Sequence, residues 1–261
     1  MEALGNLLVE QHRLAVICVD PSSTRTFGSI LGDKTRMTKL GVNPRAFVRP
    51  SPTRGHLGGI AQHTNDVVLL AEVAGFDLVL IETVGLGQSE ILVDQVVDML
   101  LLVVPPAMGD ELQGVKKGIM EVADMVIVNK ADGELAELAR HASVDYMHAL
   151  QLQRRKREAW RPRVRRCSAL TGEDVAKVKE DVLRFRAEMD AVGELDRKRR
   201  EQARSWMWAE FADQVVAAAK SDARVLGKAA GLVEELATGK LAPRFAARML
   251  TEEFLGADKP L

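Results

Sequence analysis

Asn129, Lys130, Ala131 and Asp132 close the apolar stretch MVIVNKAD, placing an amide, an ammonium and a carboxylate within four residues at the end of an expected strand. A carboxylate such as Asp132 can accept two parallel hydrogen bonds from the N1 and N2 groups of guanine. Adenine offers no such donor pair, and a buried carboxylate left unpaired is costly. Lys130 is placed to lie along the base plane, and Asn129 to tie neighbouring loops together. An ordinary strand-to-loop junction with surface charges accounts for the same four residues equally well. No G-x-x-x-x-G-K-[ST] loop, whose backbone amides and lysine cradle phosphates, occurs in the 261 residues.

Three further segments bear on the choice. Glu82-Thr-Val-Gly-Leu-Gly-Gln-Ser-Glu90 follows the strand-like run Asp77-Leu-Val-Leu-Ile81. An acid at the carboxyl end of a buried strand can orient a magnesium-bound water, and the amide of Gly85 can approach a terminal phosphate because no side chain blocks it. In doubly wound sheets this edge is where ligands sit, although a glycine-rich turn capping a strand has the same composition. Asp20 emerges at the end of the expected strand Leu14 to Val19, and Asp33 stands before a helix expected from Lys34. Both are hard oxygen ligands suited to magnesium, directly or through water, while capping alone would explain Asp33. Ser168, Ala169 and Leu170, in SALTG, follow a short strand and would bring backbone amides near the guanine carbonyl.

Taken in order, VDPSS, GSILGDKTRM, RPSPTRGHLGG, ETVGLGQSE, GDELQGVKKG and NKAD resemble the MeaB/ArgK family of P-loop GTPases over nearly the whole chain. The resemblance implies GTP/GDP as ligand with Mg2+. It implies a chaperone role toward adenosylcobalamin-dependent methylmalonyl-CoA mutase, in which cofactor loading is gated and the mutase is protected. By position it assigns Asp20, Glu82 and Gly85 to hydrolysis, and Asp20, Asp33 and Glu82 to the metal. Asn129, Lys130 and Asp132, with Ser168, Ala169 and Leu170, go to the base. Gly109 to Lys117 resembles the additional switch loop that couples nucleotide state to the mutase, with Asp110, Gln113 and Lys116 as its polar contacts; Asp110 also suits the N-cap of a helix from Glu111 to Val122. A homodimer is implied, with a cobalamin adenosyltransferase as a further partner. The location implied is the mitochondrial matrix in a eukaryote, which RPSPTRG followed by HTND favours, and the cytoplasm in a bacterium.

Two departures from the family pattern stand out. Its G-K-[ST] is expected to end a residue or two before Met1, so Met1 to His12 reads as the rest of the helix that begins in the phosphate loop, and the GTPase domain is expected to be incomplete. Phe27 stands where the family usually has glycine in its first switch.

Composition narrows the alternatives. With 47% hydrophobic and 28% charged residues and a net charge of −1, the chain has an ordinary globular balance. The longest apolar run, Met99 to Met108, is far short of the roughly 20 residues of a membrane-spanning helix. Cys18 and Cys167 sit in strand-like stretches with no disulfide framework, and the five histidines show no metal-ligand spacing. Two basic runs, Arg154 to Arg157 with Arg161 to Arg166, and Arg197 to Arg200, raise nucleic-acid binding. The near-neutral net charge and 4% aromatic content favour a solvated helix face or an acidic protein partner instead.

The elements that must position these groups alternate. Strands are expected near Leu14 to Val19, Ala46 to Arg49, Asp77 to Thr83, Met99 to Val104, Met125 to Asn129 and Arg163 to Ser168. Runs such as MLLLVV suit strands covered on both faces, hence a mostly parallel α/β sheet. From Glu173 onward only helices are expected, with breaks near Gly193, Ser221, Gly239 and Gly256. The chain therefore divides into an incomplete GTPase domain, 1–172, and an all-helical extension, 173–261, read as a dimerisation arm. Without its phosphate loop the chain also suits a noncatalytic binding module for the mutase.

Overall fold

A computed structural model describes residues 1–20, 37–52, 64–83, 93–106 and 117–256. Their elements are α1 (Glu2–Leu8), β1 (Leu14–Asp20), β2 (Ala46–Pro52), α2 (Thr64–Val73), β3 (Leu78–Thr83), β4 (Leu101–Val104), α3 (Lys117–Val122), β5 (Met125–Val128), α4 (Ala136–Gln151), β6 (Arg163–Arg166), α5 (Val175–Ala191), α6 (Glu194–Ser221), α7 (Ala223–Ala237) and α8 (Pro243–Leu255). They form two compact units, Met1–Gln202 and Ala203–Leu261.

All strand pairing is parallel, as the apolar runs require, but it falls into two three-stranded sheets, β2-β1-β3 and β4-β5-β6. Among the described residues no ladder joins β3 to β4, and coverage of both faces is incomplete. Every residue of β3 is only partly buried, and Val103 on β4 is 58% exposed. By contrast, β1 and β5 are central strands of their sheets and are buried, as their unbroken Val and Ile content demands.

Strand alternation separates two faces of the first sheet. Leu14, Val16 and Cys18 pack with Leu78, Leu80, Val9 and Leu40, whereas Ile17 and Val19 pack with Val79, Ile81 and the α2 residues Val67 and Val68. Helix α1 serves both sheets. A Cβ placed on Gly5 would meet Leu40 Cδ1 at 2.5 Å, a contact only glycine permits without movement. Ala3, Leu4 and Leu7 pack with Met125, Ile127, Val175 and Val178 of the second sheet's cluster. Lys179 on α5 donates to Leu7 O at 2.8 Å, satisfying one of the carbonyls that a helix end leaves open.

Two links tie α5 and α6 to residues just before the amino ends of β3 and β4. Arg186 of α5 donates to Asp77 O before β3, and Arg199 pairs with both Asp98 before β4 and Glu72 near the end of α2.

The basic runs are solvated only in part: Arg154, Arg161, Arg166, Arg197 and Arg200 are exposed, whereas Lys156, Arg157 and Lys198 turn inward. Arg157, 6% exposed, donates through Nε at 2.6 Å and a terminal nitrogen at 3.0 Å to Asp124, itself 1% exposed. Asp124 also receives Leu100 N at 2.9 Å, and its carbonyl accepts from Trp160 Nε1 at 2.8 Å. Burial works against the charge on Arg157, but the Asp124 hydrogen bond and charge outweigh it and hold the guanidinium above its ordinary value. Lys156 and Lys198 both reach Asp94, at 2.9 and 2.8 Å. Burial opposes ionisation of Asp94, yet these two ammonium groups keep its carboxyl below the usual range. Lys198 is itself pulled down, by burial first and then by the Arg157 charge. Arg163 and Arg165 share the buried Asp181. These cations act as internal braces: Lys156 and Arg157 from loop 152–162 and Lys198 from α6 supply the positive charge that Asp94 and Asp124 would otherwise lack.

In the second unit α7 and α8 pair through Val225, Leu232 and Ala246, all buried, and through Lys228–Glu253 at 2.9 Å. Asp222 caps α7 by accepting Arg224 N, and the Arg224 side-chain hydrogen bond pulls its carboxyl down to about 2. The part of α6 in this unit carries exposed Met207, Phe211 and Val216, and Trp208 is 57% exposed with its ring edge-on to Phe211 at 5.8 Å.

Candidate guanine-reading site

Strand β5 ends at Val128, and the next four residues form the loop singled out by the sequence. Asn129 N donates to Val104 O at 2.8 Å, anchoring the loop to β4. Its side-chain Oδ1 accepts Ala169 N at 3.0 Å, so Asn129 does tie this loop to the one after β6. Two backbone bonds close the same junction: Cys167 N donates to Val128 O at 3.0 Å and Ala131 N donates to Cys167 O at 3.1 Å. Between them Lys130 adopts φ 62°, a left-handed conformation that disfavours a side chain and must be held by its surroundings.

That turn leaves Asp132 extended, at φ −123°, ahead of a short 3-10 turn at Gly133–Leu135. Its carboxylate makes no capping bond there and has no hydrogen bond or ion pair among the described residues. Lys130 is exposed and likewise unpaired among them. A half-buried carboxylate with free lone pairs beside a free ammonium has the composition needed to receive a flat base carrying two adjacent donors.

The loop after β6 is internally fixed. Ser168 is fully buried, its Oγ accepts Thr171 N at 3.1 Å, and its carbonyl accepts Gly172 N at 2.9 Å, with Gly172 at φ 82° where glycine is required. One expectation needs adjusting here. The Ala169 amide is engaged by Asn129 and so is not free for a base carbonyl; the Leu170 amide has no partner among the described residues, and its side chain projects into solvent.

On the first sheet, the register pairs Cys18 with Glu82 and brings β1 to its last residue, Asp20, opposite Pro52. Glu82 Oε2 is buried with no hydrogen-bond partner among the described residues. An orphaned buried carboxylate oxygen is expensive unless a donor is supplied, and water held by a divalent cation is a suitable donor. Asp33, Gly85, Asp110, Gln113 and Lys116 lie outside the described residues, as does Phe27. Among the described residues no group of three or more His, Cys, Asp or Glu is arranged to hold a metal alone. No helix there is long and apolar enough to cross a membrane.

A parallel α/β fold with a carboxylate-bearing Asn-Lys-x-Asp loop clamped to a second loop is the arrangement of a P-loop GTPase. The chain belongs to the MeaB family: the family described as "Methylmalonyl Co-A mutase-associated GTPase MeaB" matches residues 1–224. It is 45% identical over 255 residues to the mouse protein named "Methylmalonic aciduria type A homolog, mitochondrial", covering 97% of this chain and 61% of the mouse protein. It is 44% identical over 220 residues to Escherichia coli "GTPase ArgK", covering 83% of this chain and 66% of that one. A crystal structure titled "LAO/AO transport system kinase" superposes with a TM-score of 0.70 at 32% identity, covering 96% of this chain and 75% of the other. The chain thus spans about three fifths of the length of its mouse relative.

Proposed function

We propose that this chain carries the guanine-reading and partner-facing parts of a GTPase that assists adenosylcobalamin-dependent methylmalonyl-CoA mutase. The observation that carries the reading is the unpaired Asp132 carboxylate on a loop fixed through Asn129 and Cys167. Asp132 takes the N1 and N2 donors of guanine, Lys130 covers the base plane, and the Leu170 amide faces the base carbonyl. Glu82 and Asp20, with Asp33, hold the water shell of magnesium, and Gly85 senses the terminal phosphate. Magnesium, when bound, offsets the charge that develops on the phosphates. Glu82 fits that task because its buried Oε2 lacks a donor among the described residues.

In this reading Asp110, Gln113 and Lys116 relay nucleotide state to the mutase, whose cofactor loading and protection depend on it. A cobalamin adenosyltransferase is a further partner. The exposed Trp208, Phe211 and Met207 on α6 support a homodimer formed through the helical unit. The location is the mitochondrial matrix if the chain is eukaryotic, which similarity to the mouse protein favours, and the cytoplasm if it is bacterial. The engagement of Lys156, Arg157, Lys198 and Arg199 by Asp94, Asp98 and Asp124 speaks against nucleic-acid binding.

The test is isothermal titration of residues 1–261 with GDP and a GTP analogue, followed by capture of methylmalonyl-CoA mutase in each state. Phosphate contacts supply most of the charge-assisted hydrogen bonds in such sites, at about 1.5–3 kcal/mol each. The expected outcome is guanine-nucleotide binding weaker than micromolar, negligible hydrolysis, and mutase capture that does not respond to nucleotide. Micromolar GTP binding would show that the phosphate loop is dispensable. Absence of mutase capture in both states would remove the partner from the account.

A further inference from the structure

Asn129 Oδ1 has a second neighbour besides the Ala169 amide: Cys167 Sγ lies 3.8 Å away, a distance at which a thiol donates a weak hydrogen bond. Cys167 is buried, and burial pushes its thiol up, away from the ionised form that could only accept. Its two backbone bonds grip Val128 and Ala131, on either side of Asn129 and the left-handed Lys130. One residue therefore holds the loop at three points, two through the main chain and one through the side chain. Only the last depends on which residue stands at 167.

We propose that Cys167 is a positioning residue for the base-reading loop: its thiol donates to Asn129 Oδ1 and fixes which end of that amide faces the 168–170 loop. The argument is one of donor and acceptor balance. Asn129 presents a carbonyl and an NH2 group that differ little in shape, and the donors around it decide the orientation. With the S–H and the Ala169 N–H both aimed at one position, that position must hold the oxygen. The NH2 group then takes the other position. Loss of the thiol donor leaves the Ala169 N–H as the one described donor on that oxygen, so the amide samples the reversed orientation more often, which sets NH2 against the Ala169 N–H and opens the junction.

The proposal rests on the guanine-reading assignment for its functional meaning but not for its test, which begins without nucleotide. Amide hydrogen exchange is measured by NMR on the 261-residue chain and on Cys167→Ala and Cys167→Ser. In Cys167→Ala, exchange at Ala169 is expected to accelerate about fivefold, the consequence of weakening one hydrogen bond. The amide of residue 167, bonded to Val128 O, should keep its wild-type rate, as a purely structural role would not allow. Cys167→Ser retains a donor and should restore slow exchange at Ala169. GDP titration of the same three proteins should rank wild type and Cys167→Ser together, above Cys167→Ala. An unchanged Ala169 rate in Cys167→Ala, equal acceleration at residues 167 and 169, or no recovery in Cys167→Ser would each overturn the proposal. Failure of the wild-type chain to bind GDP would instead sink the guanine assignment and leave the exchange result standing.

Discussion

Asp132→Asn, in a version of the chain extended in frame with a phosphate loop, is expected to weaken GTP and GDP binding by about 10²- to 10⁴-fold. The magnitude follows from two hydrogen bonds to an ionised acceptor, at about 1.5–3 kcal/mol each. The carboxylate has no cap, salt bridge or other protein partner among the described residues to share its role. The substitution replaces one acceptor oxygen by an NH2 donor, so guanine meets donor against donor. Xanthine, which carries a carbonyl where guanine carries its 2-amino group, regains a match. Competition between guanine and xanthine nucleotides measures the change. Unaltered GTP affinity removes Asp132 from the base-binding role, whatever the stability of the variant.

The second large effect concerns the fold beneath that site. Asp124→Ala should destabilise the first unit by about 3–5 kcal/mol, the typical cost of leaving one partner of a buried ion pair uncompensated. The loss is not confined to the pair. Asp124 also holds Leu100 N at the entry to β4, and the chain at Asp124 leads directly into β5 and on to Asn129. A fall in thermal midpoint of about 10 °C is expected, read by circular dichroism. Arg157→Met combined with Asp124→Leu should recover much of it, because an apolar pair leaves no buried charge. A double variant no more stable than Asp124→Ala would mean that the Leu100 capping bond, not the ion pair, carries the energy.

The strands were legible because their residues obey simple rules. LAVICVD, LVLIET and MVIV are apolar enough to be central or near-central parallel strands, and the structure places β1, β3 and β5 within a residue or two of the expected bounds. Helices α7 and α8 lie between the breaks expected near Ser221, Gly239 and Gly256. The loop proposed to read the base drew notice for a different reason: it is local, four contiguous residues whose types suggest that chemistry with no knowledge of the rest of the chain.

What the sequence concealed is long-range. Nothing in RRKR distinguishes a solvated arginine from one that meets Asp124, thirty-three residues earlier in the chain. The clue was the presence of unpaired acids, Asp94, Asp98 and Asp124, beside apolar segments that must be buried. The division into two sheets was hidden too, since apolar content predicts strands but not which edges meet. Cys167 read only as a thiol in a strand-like stretch, and its contact with Asn129 exists only once β5 and β6 are paired in register.

Chemical-shift mapping of the 261-residue chain with millimolar GDP and, separately, ADP tests the central claim most directly. Weak binding suffices for this readout, so it does not depend on a phosphate loop. The account predicts that GDP moves the amides of Ala131, Asp132, Ala169 and Leu170, and that ADP at the same concentration leaves them in place. Equal responses to the two nucleotides at these residues, or GDP-dependent shifts confined to other parts of the chain, would contradict it.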